Sequence, residues 1–385
     1  MTDARPTLEA SALAALRSAG IVGAVASASA PGRATLVGEH VDYADGVVVC
    51  TAIDRSLACA VARSPDGRWS VLDADGNLVA GEPGMPAPDG VTARPLAVVE
   101  ALRRAGVDVP PVTVALASSL PSGAGLSSSA ALGCAVAAAL LRLQGARLTA
   151  SRLAEVVLVA ERDVVGIPCG PLDMRAVVLS PADGTLLLDC SDGSHSVLPP
   201  LGGDHVLVAC GSGGSHDVGG SGYRDRRREA DAARAGLGPG SFRDVAPGDP
   251  RLAGLPSPLN RRARHIVTET ARALAAAQAL EHGDGPALGR LMTESHLSLR
   301  DDYEVSTRAL DDIVDAALNG DGCLGARMVG AGFGGTVIAL VRREAAVRCA
   351  ARMEAAARAH GGGPAWLLRP APGLAATTPD VIIPA

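Results

Sequence analysis

Three groups of side chains in this sequence are equipped for chemistry. The earliest is the run from Gly32 to Tyr43, where Arg33, Glu39, His40, Asp42 and Tyr43 gather a guanidinium, two carboxylates, an imidazole and a phenol. A ligand rich in hydroxyl groups needs acceptors at several angles, and Glu39, His40 and Asp42 can supply them. Taken alone, the run is equally a solvated hairpin bend laced with salt bridges. The second group is the turn Cys169-Gly170-Pro171-Leu172-Asp173. Its Asp173 is either a turn aspartate or a group that takes the proton of a hydroxyl nucleophile. In the second case Arg33 would hold the carboxylate and steady the transferring phosphoryl charge.

The third group is the glycine-serine loop Pro121 to Ala131, which ends a Val/Leu-rich strand and opens an Ala-rich helix. Glycines let the backbone approach a ligand, and the free N–H groups and positive dipole end of the helix favour phosphate. Gly123, Ala124, Gly125, Leu126, Ser127, Ser128 and Ser129 therefore read as a nucleotide-binding segment, the alternative being a plain turn that starts a helix. The chain contains no lysine; all 35 of its positive side chains are arginine. A Walker loop, a protein-kinase ATP lysine and a pyridoxal Schiff base each need one, so all three are excluded.

The elements that must hold these groups follow from pattern. Residues 7–19 fit an amphipathic helix, Arg33 to Val37 leads into a turn at Tyr43 to Gly46, and Val47–Ile53 alternates like a strand. Strands are expected at Ser56–Arg63, Trp69–Ala74 and Val112–Ala117, and helices at 94–105, Ser127 to about Leu143, and Ala150–Val164. Val177–Cys190 reads as a hairpin turned at Asp183-Gly184. Two prolines and two glycines at Pro199 to Gly203 mark a domain boundary, giving 1–200 and 201–385. Beyond it come a strand at His205–Cys210, helices at 221–235, 259–281, 285–298 and 307–318, and the glycine-rich turn Gly330 to Gly335. That turn feeds a strand at Thr336–Val341 and a helix at 343–359.

Composition removes other functions. The formal charge is −6, the arginines are scattered, and the run Arg226 to Arg228 reads as a solvated helix face, so nucleic acid is not an expected partner. No apolar run reaches membrane-spanning length. The eight cysteines form no CxxC pair and no zinc spacing, and they read as small buried hydrophobes in a reducing cytoplasm. Asp3, Glu9 and Arg17 interrupt the N-terminal apolar stretch and argue against an export signal. Composition is compatible with a monomer.

With these residues in hand, the chain resembles the galactokinases, within the wider class of galactokinase, homoserine, mevalonate and phosphomevalonate kinases. The resemblance rests on Gly32 to Tyr43, Gly125 to Ala131 and Gly330 to Gly335, in the order of the family's three motifs, together with the segments around Tyr223, Asn260 to His265 and Glu294 to Tyr303. It implies a fold of two α+β domains with the active site in the cleft between them. It makes Asp173 the catalytic carboxylate and Arg33 its partner beside the sugar C1 hydroxyl. It also implies sugar contacts at Glu39, His40, Asp42, Gly170 and Tyr223, magnesium ligands at Ser129 and Glu161, and ATP as phosphate donor. As a plain helix residue, Glu161 would instead be a solvent-facing glutamate beside Arg162.

The expected activity is transfer of phosphate from ATP to the anomeric hydroxyl of galactose. A kinase for another aldose and an inactive sugar or nucleotide sensor are the alternatives. The family usually has Asn at Thr35, Thr at Val41 and Gln at Met174, and all three positions lie beside the implied sugar contacts. They are therefore the expected places for a change of sugar. Against a sensor stands the intact run Ser127 to Ala131, with Arg33 and Asp173 both kept. The aromatic residues that often line the family's adenine pocket are missing near 90–105.

Overall fold

The computed structural model describes residues 7–85, 90–121, 123–213 and 221–383. Asp3 and Ser122 lie outside the described residues. Helix α1 (Leu8–Ser18) starts where the Thr7 side chain accepts from the Ala10 N–H. It is followed by two long antiparallel strands, β1 (Val25–Val37) and β2 (Val47–Arg63), the spine of the first sheet. Both faces of β2 are covered: Ala60 and Ala62 pack against Ala12 and Leu16 of α1, while Cys59 and Val61 face the opposite core. That burial explains the nearly unbroken apolar run in its sequence.

Next come β3 (Trp69–Leu72), β4 (Leu78–Gly81), α2 (Gly90–Arg104), β5 (Val112–Ser118) and α3 (Ser128–Gln144). Helix α3 is apolar on every side from Ala130 to Leu141, as a central helix must be, and Gly145 ends it at φ 63°. After β6 (Leu148–Thr149), helix α4 (Ala150–Val159) passes into a π-helical turn over Ala160–Val165. Helix α5 (Leu172–Leu179) and strands β7 (Thr185–Asp189) and β8 (His195–Leu198) complete a sheet of order β4-β3-β5-β2-β7-β8, with β1 on β2.

Here the sequence misleads. The expected hairpin over Val177–Cys190 does not form: Val177 and Val178 belong to α5, and β7 pairs instead with β8. Met174, Ala176, Val177 and Val178 are all buried. A short run buried on all sides carries no alternation to separate strand from helix.

The chain enters a second, antiparallel sheet at β9 (His205–Gly211). Helices α6 (Ser221–Leu237), α7 (Pro250–Gly254), α8 (Leu259–Glu281), α9 (Gly285–Asp301) and α10 (Arg308–Leu318) follow. Then come β10 (Cys323–Val329), β11 (Thr336–Arg342), α11 (Ala346–Arg358) and β12 (Ala365–Leu368), giving the order β10-β11-β9-β12. The tail returns to the first half. Asp54 donates its N–H to Arg369 O, α12 (Leu374–Thr377) sits against α5, and β13 (Ile382–Ile383) pairs in parallel with β6.

Candidate functional site

The bend after β1 is where chemistry begins. Gly38 turns the chain at φ 109°, and a side chain there would meet Val47 O and the Val48 Cα at 2.7 Å, so only glycine fits between the strands. The bend delivers Glu39, His40 and Asp42 to a cavity of about 460 Å³ between the two halves. Arg33 and Asp173, from β1 and the first turn of α5, line the same cavity, as do Gly123, Gly125 and Ser127 to Ser129.

Arg33 is the centre of this arrangement. Its Nε and Nη2 lie 2.9 and 2.7 Å from Asp173 Oδ1, and its Nη1 donates to Gly125 O at 2.7 Å. The guanidinium therefore touches the carboxylate and the glycine-serine loop at once. Both contacts fall on Oδ1 and leave Oδ2 available to a ligand. Burial works against the Arg33 charge, but Asp173 and Glu39 outweigh it and raise its pKa.

Asp42 faces like charge. Burial pushes its carboxyl up to about 7, and Asp173 adds to the rise. Gly170 leaves it room: a Cβ there would sit 2.1 Å from Asp42 Oδ2. Tyr223, from α6, stacks its ring 5.8 Å from His40, and its hydroxyl makes no hydrogen bond with a described residue.

His40 is placed differently from the expectation. Its backbone is left-handed at φ 61°, and its ring is spent on the protein. Nε2 lies 3.0 Å from the Ala331 carbonyl, which can only accept, so that nitrogen carries the proton. Burial lowers the ring's pKa to about 3, so Nδ1 is bare and accepts from the Tyr43 hydroxyl at 2.9 Å. Tyr43 in turn accepts from Tyr303 at 2.7 Å. His40 thus ties the turn after β1 to the glycine-rich turn of the second half, and both its ring nitrogens are engaged by the protein.

On the other side of the cavity, Ser127 caps α3 at φ 60°, and its Oγ is buried with no partner among the described residues. Gly123, Gly125 and the non-glycine Ser127 all sit at positive φ, a strained backbone that turns the loop towards the cavity. Gly330 packs on it, its missing Cβ 2.7 Å from Gly125 O. Ala124 and Leu126 face inward and support the loop. Leu57, Leu120 and Leu132 line this end, so its walls are aliphatic.

Glu161 is not the solvent-facing helix residue that its neighbourhood in sequence allowed. The π-helical turn buries it, and Arg94 Nε donates to its Oε1 at 2.9 Å. Burial raises its pKa, and the Arg94 charge opposes the rise. Arg94 itself lines the cavity, a residue the sequence did not single out.

The three positions that depart from the family pattern are buried. Thr35, Val41 and Met174 are at most 2% exposed, and none lines the cavity. Gly133 lets α4 approach α3, since a Cβ there would lie 2.5 Å from Val157.

Comparison with known proteins agrees with this geometry. Residues 93–180 match the GHMP kinases N terminal domain, 276–359 the GHMP kinases C terminal domain, and 22–63 the galactokinase galactose-binding signature. The galactokinase of Roseiflexus sp. is 41% identical over 330 residues, covering 82% of this chain and 83% of its own. That of Thermotoga maritima is 36% identical over 316 residues, covering 82% and 89%. The solved structure of Lactococcus lactis galactokinase complexed with galactose superposes with a TM-score of 0.88 at 25% identity, over 96% of this chain and 99% of that one. Methanococcus jannaschii mevalonate kinase shares the fold at a TM-score of 0.66 and 17% identity, over 90% and 99%. Identity of this order held over four fifths of the sequence, together with a fold shared from end to end, makes this chain a member of the galactokinase family.

Proposed function

We propose that the protein transfers the terminal phosphoryl group of ATP to the anomeric hydroxyl of galactose, giving α-galactose 1-phosphate. One observation carries this reading: Arg33 bridges Asp173 and the phosphate loop. A sugar seated among Glu39, Asp42, Gly170 and Tyr223 presents a hydroxyl to Asp173, and a nucleotide on Gly123 to Ser129 presents its phosphate to Arg33. Asp173 Oδ2 orients that hydroxyl and receives its proton as the oxygen–phosphorus bond forms and the bond to ADP breaks. Arg33 offsets charge on the transferring group.

A magnesium ion would need few groups from the protein. Among the described residues no group of three or more His, Cys, Asp or Glu is placed to hold a metal. A hard ion shared with nucleotide phosphates needs only one or two protein oxygens. Ser129 and the buried Glu161 would supply them, and the ion would neutralise phosphate charge. No helix among the described residues is long and apolar enough to cross a membrane. The eight unpaired cysteines support a reducing, cytoplasmic setting.

The burial of Thr35, Val41 and Met174 supports galactose over another aldose, because none of these side chains lines the cavity. The test is coupled ADP release with ATP, magnesium and a panel of aldoses. Turnover on galactose above every other sugar is the expected result. Higher turnover on a different aldose, or none on any, would reject it.

Asp42 gives the site a pH dependence. With its carboxyl at about 7 in the ligand-free protein, it is mostly protonated below that pH, and the protonated oxygen then donates where the carboxylate would accept from a second sugar hydroxyl. Galactose Kd should therefore rise by roughly tenfold per unit as pH falls below about 7, with proton release on binding. Calorimetric titration of the parent and of Asp42→Asn checks this. A flat parent profile, or one that weakens with rising pH, contradicts it.

A further inference from the structure

Glu39 is held from behind by an arginine that no motif brought forward. Arg327 lies on β10 with its side chain wholly buried, and each end of its guanidinium has a partner. Nε donates to Met328 O at 2.8 Å, Nη1 to Leu36 O at 3.1 Å, and Nη2 to Glu39 Oε2 at 2.9 Å. Beyond it, Glu269 on α8 lies 3.8 Å from Nη1 and accepts from the Gly38 N–H at 2.8 Å. Ser295 and Arg272 hold Glu269 in turn, at 2.5 and 3.0 Å. The end of β1 is therefore fixed by charges from the second half of the molecule.

The charges alternate. Glu39 stands between Arg327 at 2.9 Å and Arg33 Nη2 at 3.9 Å, and Arg33 stands between Glu39 and Asp173 at 2.7 Å. A buried carboxylate left without a partner draws the nearest cation strongly. For Glu39 the nearest other cation is Arg33. We propose that Arg327 is a positioning residue for phosphoryl transfer: by satisfying Glu39 it leaves Arg33 committed to Asp173 and keeps the Glu39 carboxylate turned to the sugar.

A purely structural ion pair has a different signature. Replacing such a pair by neutral groups of similar volume is often harmless to the fold, whereas removing one partner strands the other. If Arg327 acts only on packing, its loss adds to that of Glu39. If it acts through the Glu39 charge, removing that charge cancels the loss.

This inference rests on the reading of Glu39 as a sugar contact, and the test separates the two. Glu39→Gln, Arg327→Met, Arg327→Lys and the double variant Glu39→Gln/Arg327→Met are compared by steady-state kinetics in both substrates. Glu39→Gln should raise galactose KM and leave ATP KM unchanged; a parental galactose KM would overturn the sugar-contact reading and this inference with it. Arg327→Met should lower kcat/KM for galactose on the order of 30-fold or more, with kcat itself reduced. The double variant should recover the kcat of Glu39→Gln alone, and Arg327→Lys, which keeps the cation, should retain most of the parental kcat. If Arg327→Met does not fold, the charge-free double variant still should, with the kinetics of Glu39→Gln. Additive losses in the double variant, or a double variant that does not fold, would make Arg327 structural only and overturn the proposal, while leaving Glu39 as a sugar contact.

Discussion

Replacing Asp173 by asparagine is expected to lower kcat by about three orders of magnitude, with the KM values for galactose and ATP close to those of the parent. The amide keeps the size of the side chain and removes its charge. Arg33 keeps an acceptor for its Nε and Nη2 but loses its anionic partner there, and the remaining anion, Glu39, lies 3.9 Å away. The hydroxyl nucleophile loses both an acceptor for its proton and a cation in register with the phosphate. Coupled ADP release at saturating substrates measures the loss. A variant within about tenfold of the parent would mean that Asp173 only orients the hydroxyl and that positioning supplies most of the rate.

The second large effect should come from one methyl group. In Gly170→Ala the new Cβ would fall 2.1 Å from Asp42 Oδ2, 2.5 Å from its Cγ and 2.9 Å from the Tyr43 N–H nitrogen. Either the Asp42 carboxylate leaves its place or the Cys169 to Asp173 turn moves, and both displace a proposed sugar contact. Galactose KM should rise on the order of 100-fold with ATP KM unchanged, and overpacking should cost about 1–3 kcal/mol of stability. Kinetics in each substrate and a thermal melt separate the two. An ATP KM that rises in step with that of galactose would show that the turn serves the whole cavity, not its sugar end.

Why some of this was legible and some was not comes down to particular residues. Helices α8, α9 and α10 were readable because one face of each is apolar at helical spacing and the others are polar. Arg33, Asp173 and the serine loop were readable because their residue types are rare together. Strand β10 was not: Gly325 and the buried Arg327 interrupt its apolar pattern, and the reason for an arginine there is Glu39, almost three hundred residues away in sequence. The ring partner of His40 was invisible for another reason, since the Ala331 group that binds it is a backbone carbonyl and leaves no mark on residue type. Thr35, Val41 and Met174 are buried and do not line the cavity, which their place in the sequence did not reveal. Val41 sits between two cavity residues yet is wholly buried against Gly46.

The bond from Arg33 to the Gly125 carbonyl carries a thermodynamic consequence. A nucleotide that shifts the loop shifts the arginine, and a sugar that draws on Asp173 shifts the same arginine from the other side. With the sugar and nucleotide seated as proposed, the two substrates share one element whose position each biases, which would couple their binding free energies. Reciprocity makes the two effects equal: whatever factor the nucleotide confers on galactose affinity, galactose returns to the nucleotide.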